Sequence, residues 1–263
     1  IRLEVDAHIV TGMTPIVKNL EKCVLHSGVD IIDIIPNALA ASEAILSKRQ
    51  KELGVIVVDI GCGSTNLAIY EEGTVLHSQV LPIGAENVTN DIAIGLKTSI
   101  DIAEKIKIEF GTIKPESIDS KEQIDLSLIS KIDLQQVSRK TLAQIMEARY
   151  LEIFGMVEKV LQDIGRDGML PAGVVLTGGG SKTSGVVDIA REKLRLPVQI
   201  GMPQALEGLT EKIEDPSYST ALGLLVWASR YQSQGTNMNF NLSKIDFSRA
   251  TDTLKSWFKN LMP

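Results

Sequence analysis

The stretch Val55–Tyr70, VIVVDIGCGSTNLAIY, decides how this chain is read. An apolar run carries a single carboxylate, Asp59, into a glycine turn, Gly61-Cys62-Gly63; Ser64 and Thr65 come next, and the chain then resumes as a strand. Glycines leave backbone amides open to an anionic ligand, and successive N–H groups in such a turn form a small anion-binding nest. A carboxylate at the edge of a phosphate nest makes sense with a divalent cation between them, directly or through water. The plain alternative is a tight hairpin with a structural aspartate.

The element after the glycines separates the nucleotide folds. In the dinucleotide fingerprint and in the P-loop, the glycine turn opens a helix. Here Asn66–Tyr70 alternates, Glu71-Glu72-Gly73 turns, and Thr74–Leu81 alternates again. That period of two predicts a three-stranded meander, and the chain has no GxxxxGK[ST] match. A second strand runs into glycines at Gly173–Ser181, GVVLTGGGS, with a helix predicted over Gly185–Leu194. Glycines there also suit an ordinary strand-to-helix turn, the commoner cause, but two strand ends of this kind in one chain are harder to dismiss as two unrelated turns.

Around these turns the pattern predicts strands at Arg2–Val10 and Val29–Ile35 and helices at Thr14–Ser27 and Asn37–Leu46. A chain that starts within a strand reads as N-terminally truncated. Beyond Leu81, helices are expected at Thr89–Leu96 and at Asp101–Phe110, the latter with Ile102, Ile106 and Phe110 on one face. Short edge strands are expected within Lys114–Leu134 and a long amphipathic helix over Ser138–Ile164; a strand at Pro197–Ile200 and a helix at Tyr218–Arg230 close the body. The expected division is a first-lobe remnant (1–50) and a second lobe in two parts (51–88 and 171–230) around an inserted subdomain (89–170). A linker (231–242) and a terminal amphipathic helix (243–263) complete it.

The chain has 263 residues and is 44% hydrophobic, enough for a substantial core. Its two cysteines, Cys23 and Cys62, follow no metal or disulfide spacing, which fits a reducing compartment. The three histidines are scattered and suggest no metal site. No apolar run approaches the ~20 residues of a membrane span. The net charge of −6 argues against non-specific nucleic-acid binding.

The tail carries a second signal. Tyr231–Asn241 is polar and reads as a linker. After it Phe247, Ala250, Leu254, Trp257, Phe258 and Leu261 recur at helical spacing, while Arg249, Lys255 and Lys259 fall elsewhere on the wheel. This is the pattern of a helix lying in a membrane surface, with Leu254, Trp257, Phe258 and Leu261 buried in the interface and Lys255 and Lys259 on anionic headgroups. The alternative is a helix that docks on the body or on a neighbour.

In combination, these motifs resemble the actin-like ATPase superfamily. DIGCGST resembles its second phosphate loop, LTGGGS its adenosine loop, NALAASEAIL the helix connecting the two lobes, and AEKIK the segment beside the adenine and ribose. VTNDIA at Val88–Ala93, MEARYLEI at Met146–Ile153, DPSYSTALGLL at Asp215–Leu225 and the tail resemble the FtsA family of bacterial division proteins. The resemblance covers essentially the whole chain. It implies an α/β fold of actin-like (ribonuclease H-like) lobes, mixed sheet flanked by helices. It also implies ATP with Mg²⁺, the cation oriented through water by Asp59. Gly61, Gly63, Ser64 and Thr65 would cradle phosphates. Gly178, Gly179, Gly180 and Ser181 would pass under the adenosine, with Glu104 and Lys107 near the ribose and base; the alternative for that pair is a solvated helix face.

The implied role is a nucleotide-binding scaffold rather than an enzyme. It would tether the C-terminal peptide of FtsZ, contacted through Arg149, to the cytoplasmic face of the membrane at the division site, and would self-associate into filaments. For Arg149 the alternative is an intrahelical ion pair with Glu152 or Glu147. Two departures stand out. Cys62 replaces a common glycine, and Asn37 stands where MreB has a water-positioning glutamate, so hydrolysis is expected to be slow or absent. The first phosphate loop of the actin-like clamp would lie upstream of Ile1, leaving half the grip. The rival readings are a PilM-like pilus-assembly scaffold and a small-molecule kinase of the same superfamily.

Overall fold

A strand that is apolar at nearly every position needs cover on both faces, and Val55–Ile60 (β1) is buried along its whole length at the centre of the sheet. The computed structural model describes residues 2–5, 7–129, 135–203 and 213–234. The chain divides into two compact units, Ile1–Trp227 and Ala228–Pro263. The first holds the sheet and both glycine turns. The six tail residues read as membrane-binding, Leu254, Lys255, Trp257, Phe258, Lys259 and Leu261, lie outside the described residues.

The expected meander is present. Thr65–Glu71 (β2) pairs antiparallel with β1, and Thr74–Leu81 (β3) pairs antiparallel with β2, with a bulge at Ile69/Tyr70. After Gln123–Asp125 (β4) and Gln136–Ser138 (β5), which pair only with each other, Val174–Thr177 (β6) returns to the free side of β1 in parallel. Val198–Ile200 (β7) extends the sheet beyond β6, giving the order β3-β2-β1-β6-β7. The result is a mixed α/β sheet, as expected.

The period of two assigns the two faces. Ile56, Val58, Ile60, Leu67 and Ile69 enter the larger core, while Val55, Val57, Ala68, Tyr70 and Val175 enter the smaller one. The larger core is built by Ala85–Leu96 (α4), Ile100–Phe110 (α5), Arg139–Asp163 (α6) and Val186–Leu194 (α7). The smaller core includes Ala38, Ala44 and Ile45 of Asn37–Ile45 (α2) and Leu222 of Ser219–Gln234 (α8). Small side chains let these two helices touch backbone to backbone: a Cβ on Gly223 would fall 1.8 Å from the Ala40 carbonyl oxygen. Lys48–Leu53 (α3), closed by a Ser47/Gln50 capping box, feeds β1.

Three expectations need correction. Among the described residues neither Arg2–Val10 nor Val29–Ile35 forms a strand; Leu3, Val5, Ile9 and Ile32 are exposed. Alternation specifies a face but supplies no partner, and a strand without a sheet edge to join has no ladder bonds to hold it. Thr14–His26 (α1) is helical as expected, yet it buries no residue. The last helix continues to Gln234, four residues into the segment read as linker, because its glutamines are good helix formers. Replacing Gly223 by alanine is expected to lower unfolding stability by about 1–3 kcal/mol through overpacking against Ala40, measured by urea denaturation; an unchanged midpoint would contradict the contact.

Candidate nucleotide site

The parallel pairing of β1 and β6 sets Asp59 opposite Thr177, so the two glycine turns leave the sheet side by side. The sequence showed two strand ends with glycines but not this register. Gly178 adopts φ +82°, and a Cβ there would meet Asp59 Oδ1 at 2.4 Å; one on Gly180 would meet Ile60 Cγ2 at 2.4 Å. The β6 turn therefore packs glycine backbone directly on the end of β1.

Asp59 lies on the face of β1 that looks toward α8. It is 7% exposed, and its partners are neutral: Asn66 Nδ2 at 3.5 Å, from the cross-strand position, and Thr220 Oγ1 at 3.4 Å, from the first turn of α8. Burial pushes its carboxyl up, and the two hydrogen bonds only partly oppose this. Neither of these two partners offsets the charge of the ionised form, so Asp59 has the chemistry to accept a cation. Among the described residues no three metal-ligating side chains cluster. One carboxylate among neutral donors is a set that a hydrated Mg²⁺ can use, since that ion keeps its waters and takes one or two carboxylates together with phosphate oxygens.

The phosphate-type loop is shaped from below. Gly61 N–H donates to the Ser64 carbonyl (2.9 Å), and the α4 amides of Ala85 and Glu86 donate to the carbonyls of Gly61 (2.9 Å) and Cys62 (2.8 Å). The first amides of α4 are thus spent on the loop. The amides of Cys62, Gly63 and Ser64 enter no internal hydrogen bond among the described residues, and Cys62 and Gly63 are exposed. They remain as donors for an anion. Thr65 does not face outward: its fully buried hydroxyl donates to the Ile83 carbonyl (2.8 Å) and ties the loop to the entry of α4. Ser181 is likewise turned inward, donating to the Gly178 carbonyl at 2.7 Å, so Gly179 is the exposed residue of that turn.

Glu104 and Lys107 are neither a solvated pair nor free. Lys107 Nζ reaches Glu104 (2.6 Å), Thr89 Oγ1 (2.7 Å) and the Ala85 carbonyl (3.2 Å), while Glu104 also takes the Thr89 hydroxyl at 2.5 Å. Burial alone would raise the Glu104 carboxyl, but the bonds from Lys107 and Thr89 outweigh it and hold it low. The pair locks the first turn of α4, which in turn holds the phosphate-type loop. Arg149 clamps Asp91 of α4 with two bonds (2.5 and 2.7 Å) and also makes the intrahelical pair with Glu152 (2.5 Å). A cavity of about 400 Å³ opens beside the second turn, among Ser181, Lys182, Asp188, Ile200, Met202 and Asp215.

Asn66 and Thr220 escaped the sequence reading. Asn66 could have been found from the register, since a hairpin closed by Gly61–Ser64 places it across from Asp59.

This frame of mixed sheet and paired turns defines an actin-like protein. MreB5 of Spiroplasma citri bound to ADP superposes with a TM-score of 0.66 over 85% of this chain and 69% of its own, at 16% identity. The PilM–PilN type IV pilus biogenesis complex superposes with a TM-score of 0.61 over 80% and 57%, at 20% identity. The profile of the family described as cell division protein FtsA matches residues 56–223, and the chain belongs to that family. Cell division protein FtsA of Pseudomonas aeruginosa is 38% identical over 261 residues, 98% of this chain and 63% of the relative's length. The chain therefore spans a little under two thirds of such a relative. Among the described residues no helix is long and apolar enough to cross a membrane.

At the rim of the cavity, Lys182 pairs with Asp215 at 2.6 Å, and that bond, followed by those from Ser217, pulls the Asp215 carboxyl down to about 2. A lowered carboxyl contributes stability above its unfolded value near 4, and that contribution is lost as pH falls toward 2. Melting temperatures taken between pH 4 and 2 should fall less steeply in Asp215→Asn than in the wild type; parallel curves would contradict the pairing.

Proposed function

We propose that this chain is the nucleotide-responsive part of an actin-like division adaptor, binding ATP with Mg²⁺ across the two turns. The observation that carries the reading is the contact between Asp59 and the Gly178 backbone, which unites an anion nest, a cation-seeking carboxylate and a glycine turn in one place. MreB5 supports it, being bound to ADP in its own structure. Asp59 holds the hydrated cation, the free amides of Cys62, Gly63 and Ser64 take phosphate oxygens, and Gly178–Ser181 supports the nucleoside. Thr65, Ser181, Glu104 and Lys107 act behind these groups by fixing the loops. When bound, the cation neutralises the phosphate charge that Asp59 would otherwise repel. An amide at Asn37 lacks the basicity to draw a proton from water, so turnover is slow or absent and the nucleotide acts as a conformational ligand.

Binding of a fluorescent ADP analogue is expected to require Mg²⁺. Asp59→Asn should remove the Mg²⁺ dependence, and Gly178→Val should abolish binding, since it adds both a strained φ and a clash. Mg²⁺-independent binding by the wild type, or wild-type affinity in Gly178→Val, would sink the assignment.

The adaptor role adds two surfaces. The helix carrying Leu254, Trp257, Phe258 and Leu261, with Lys255 and Lys259, lies on anionic lipid at the cytoplasmic face of the membrane. The block 89–170 receives the C-terminal peptide of FtsZ, with Arg149 as its cation, in competition with Asp91 and Glu152. Lateral assembly into filaments raises the avidity of a single weak helix. Two variants separate these surfaces. Trp257→Glu is expected to lose co-sedimentation with anionic liposomes and keep peptide binding, and Arg149→Glu to do the reverse. Loss of neither activity in its own variant would refute the corresponding surface.

A further inference from the structure

The middle of α6 carries a buried polar group with no part in the contacts described so far. Tyr150 is 1% exposed, with its ring tilted against Phe154 at 6.3 Å between centroids, and its hydroxyl emerges under the second glycine turn. The hydroxyl oxygen lies 2.8 Å from the Gly180 carbonyl and 2.7 Å from Thr183 Oγ1. A carbonyl only accepts, so the single phenolic proton goes to Gly180, and Thr183 must donate its own proton to the Tyr150 oxygen. The Gly180 carbonyl also takes the Thr183 amide at 3.3 Å.

Most of these bonds close the turn on itself, and the one from Tyr150 ties it to α6. The Gly178 carbonyl is held by the Ser181 hydroxyl and amide, and the Gly180 carbonyl by Tyr150 and the Thr183 amide. With both carbonyls already bonded, the exposed Gly179 backbone is presented in one orientation. Glycine has the widest backbone freedom of any residue, so three in succession need an external hold to keep one shape. The Pro216 carbonyl takes the Gly178 amide at 3.2 Å, and Tyr150 is the side chain that holds the far end of the turn, from a different element than those gripping the Asp59 loop.

We infer that Tyr150 is a positioning residue for the nucleoside end of the site, acting through the Gly178–Thr183 turn and relayed by Thr183. The inference rests on the nucleotide reading of the two turns, and it predicts that the two ends of the ligand respond separately. In the 263-residue chain, Tyr150→Phe keeps the buried ring and removes only the hydroxyl. It is expected to weaken displacement of a fluorescent ADP analogue by ATP roughly three- to tenfold, the effect of one lost hydrogen bond. Displacement by inorganic tripolyphosphate should be unchanged, because Asp59 and the Gly61 turn are untouched. Thr183→Val should behave like Tyr150→Phe, and Thr183→Ser, which restores the hydroxyl, like the wild type. Equal losses for ATP and tripolyphosphate indicate general loosening and overturn the inference, as does no loss for ATP. A wild type that binds no analogue overturns the nucleotide reading and this inference with it. A wild type that binds, with an unchanged ATP-to-tripolyphosphate ratio in the variants, overturns only the role of Tyr150.

Discussion

The parallel ladder between β1 and β6 is the constraint on which the rest depends. Its register places Asp59 beside Thr177 and so brings two distant turns to the same level of the sheet. Antiparallel neighbours follow one another through short hairpins, whereas a parallel neighbour needs a long crossover. Here the crossover comprises α4, α5, the β4–β5 pair and α6, and the chain cannot close the site without it. The block is therefore structural for the site as well as a surface of its own.

Around that ladder each turn is fixed from behind by a separate device. The Gly61 turn rests on the first amides of α4, themselves secured by Lys107, Glu104 and Thr89. The Gly178 turn rests on Ser181 and Tyr150. Asp59 is approached from a third direction by Thr220, at the start of the helix whose Gly223 abuts α2. This spends side-chain hydrogen bonds on backbone shape and leaves the amides of Cys62, Gly63 and Ser64 without an internal hydrogen bond among the described residues. The arrangement suits a ligand whose charge is spread over many oxygens.

Much of this was legible in the sequence. The meander, the glycine turns and the helices from α4 to α8 follow from periodicity, and Asp59 stands out because a carboxylate at the end of an apolar strand needs a reason. The two expected strands that did not form share a physical origin. Arg2–Val10 and Val29–Ile35 alternate like strands, but pairing is a tertiary event that alternation does not encode. Thr65, Ser181, Glu104 and Lys107 sit in the right segments, yet a short hydroxyl or a long amine can turn to a ligand or to nearby backbone with equal ease. Packing decides between them: the Thr65 and Ser181 hydroxyls turn to backbone carbonyls, while Glu104 and Lys107 pair with each other and with Thr89. Tyr150 and Thr220 carry no local signal, since each acts on residues far along the chain.

The fit of Gly178 against Asp59 has an evolutionary consequence. Backbone conformation and available space each disfavour a side chain at position 178, and the space is taken by the Asp59 carboxylate together with the Ile60 backbone carbonyl. Shortening residue 59 would remove only one of these obstacles, since the Ile60 carbonyl and the positive φ would remain. Glycine at 178 is thus demanded by the backbone itself, whatever residue stands at 59.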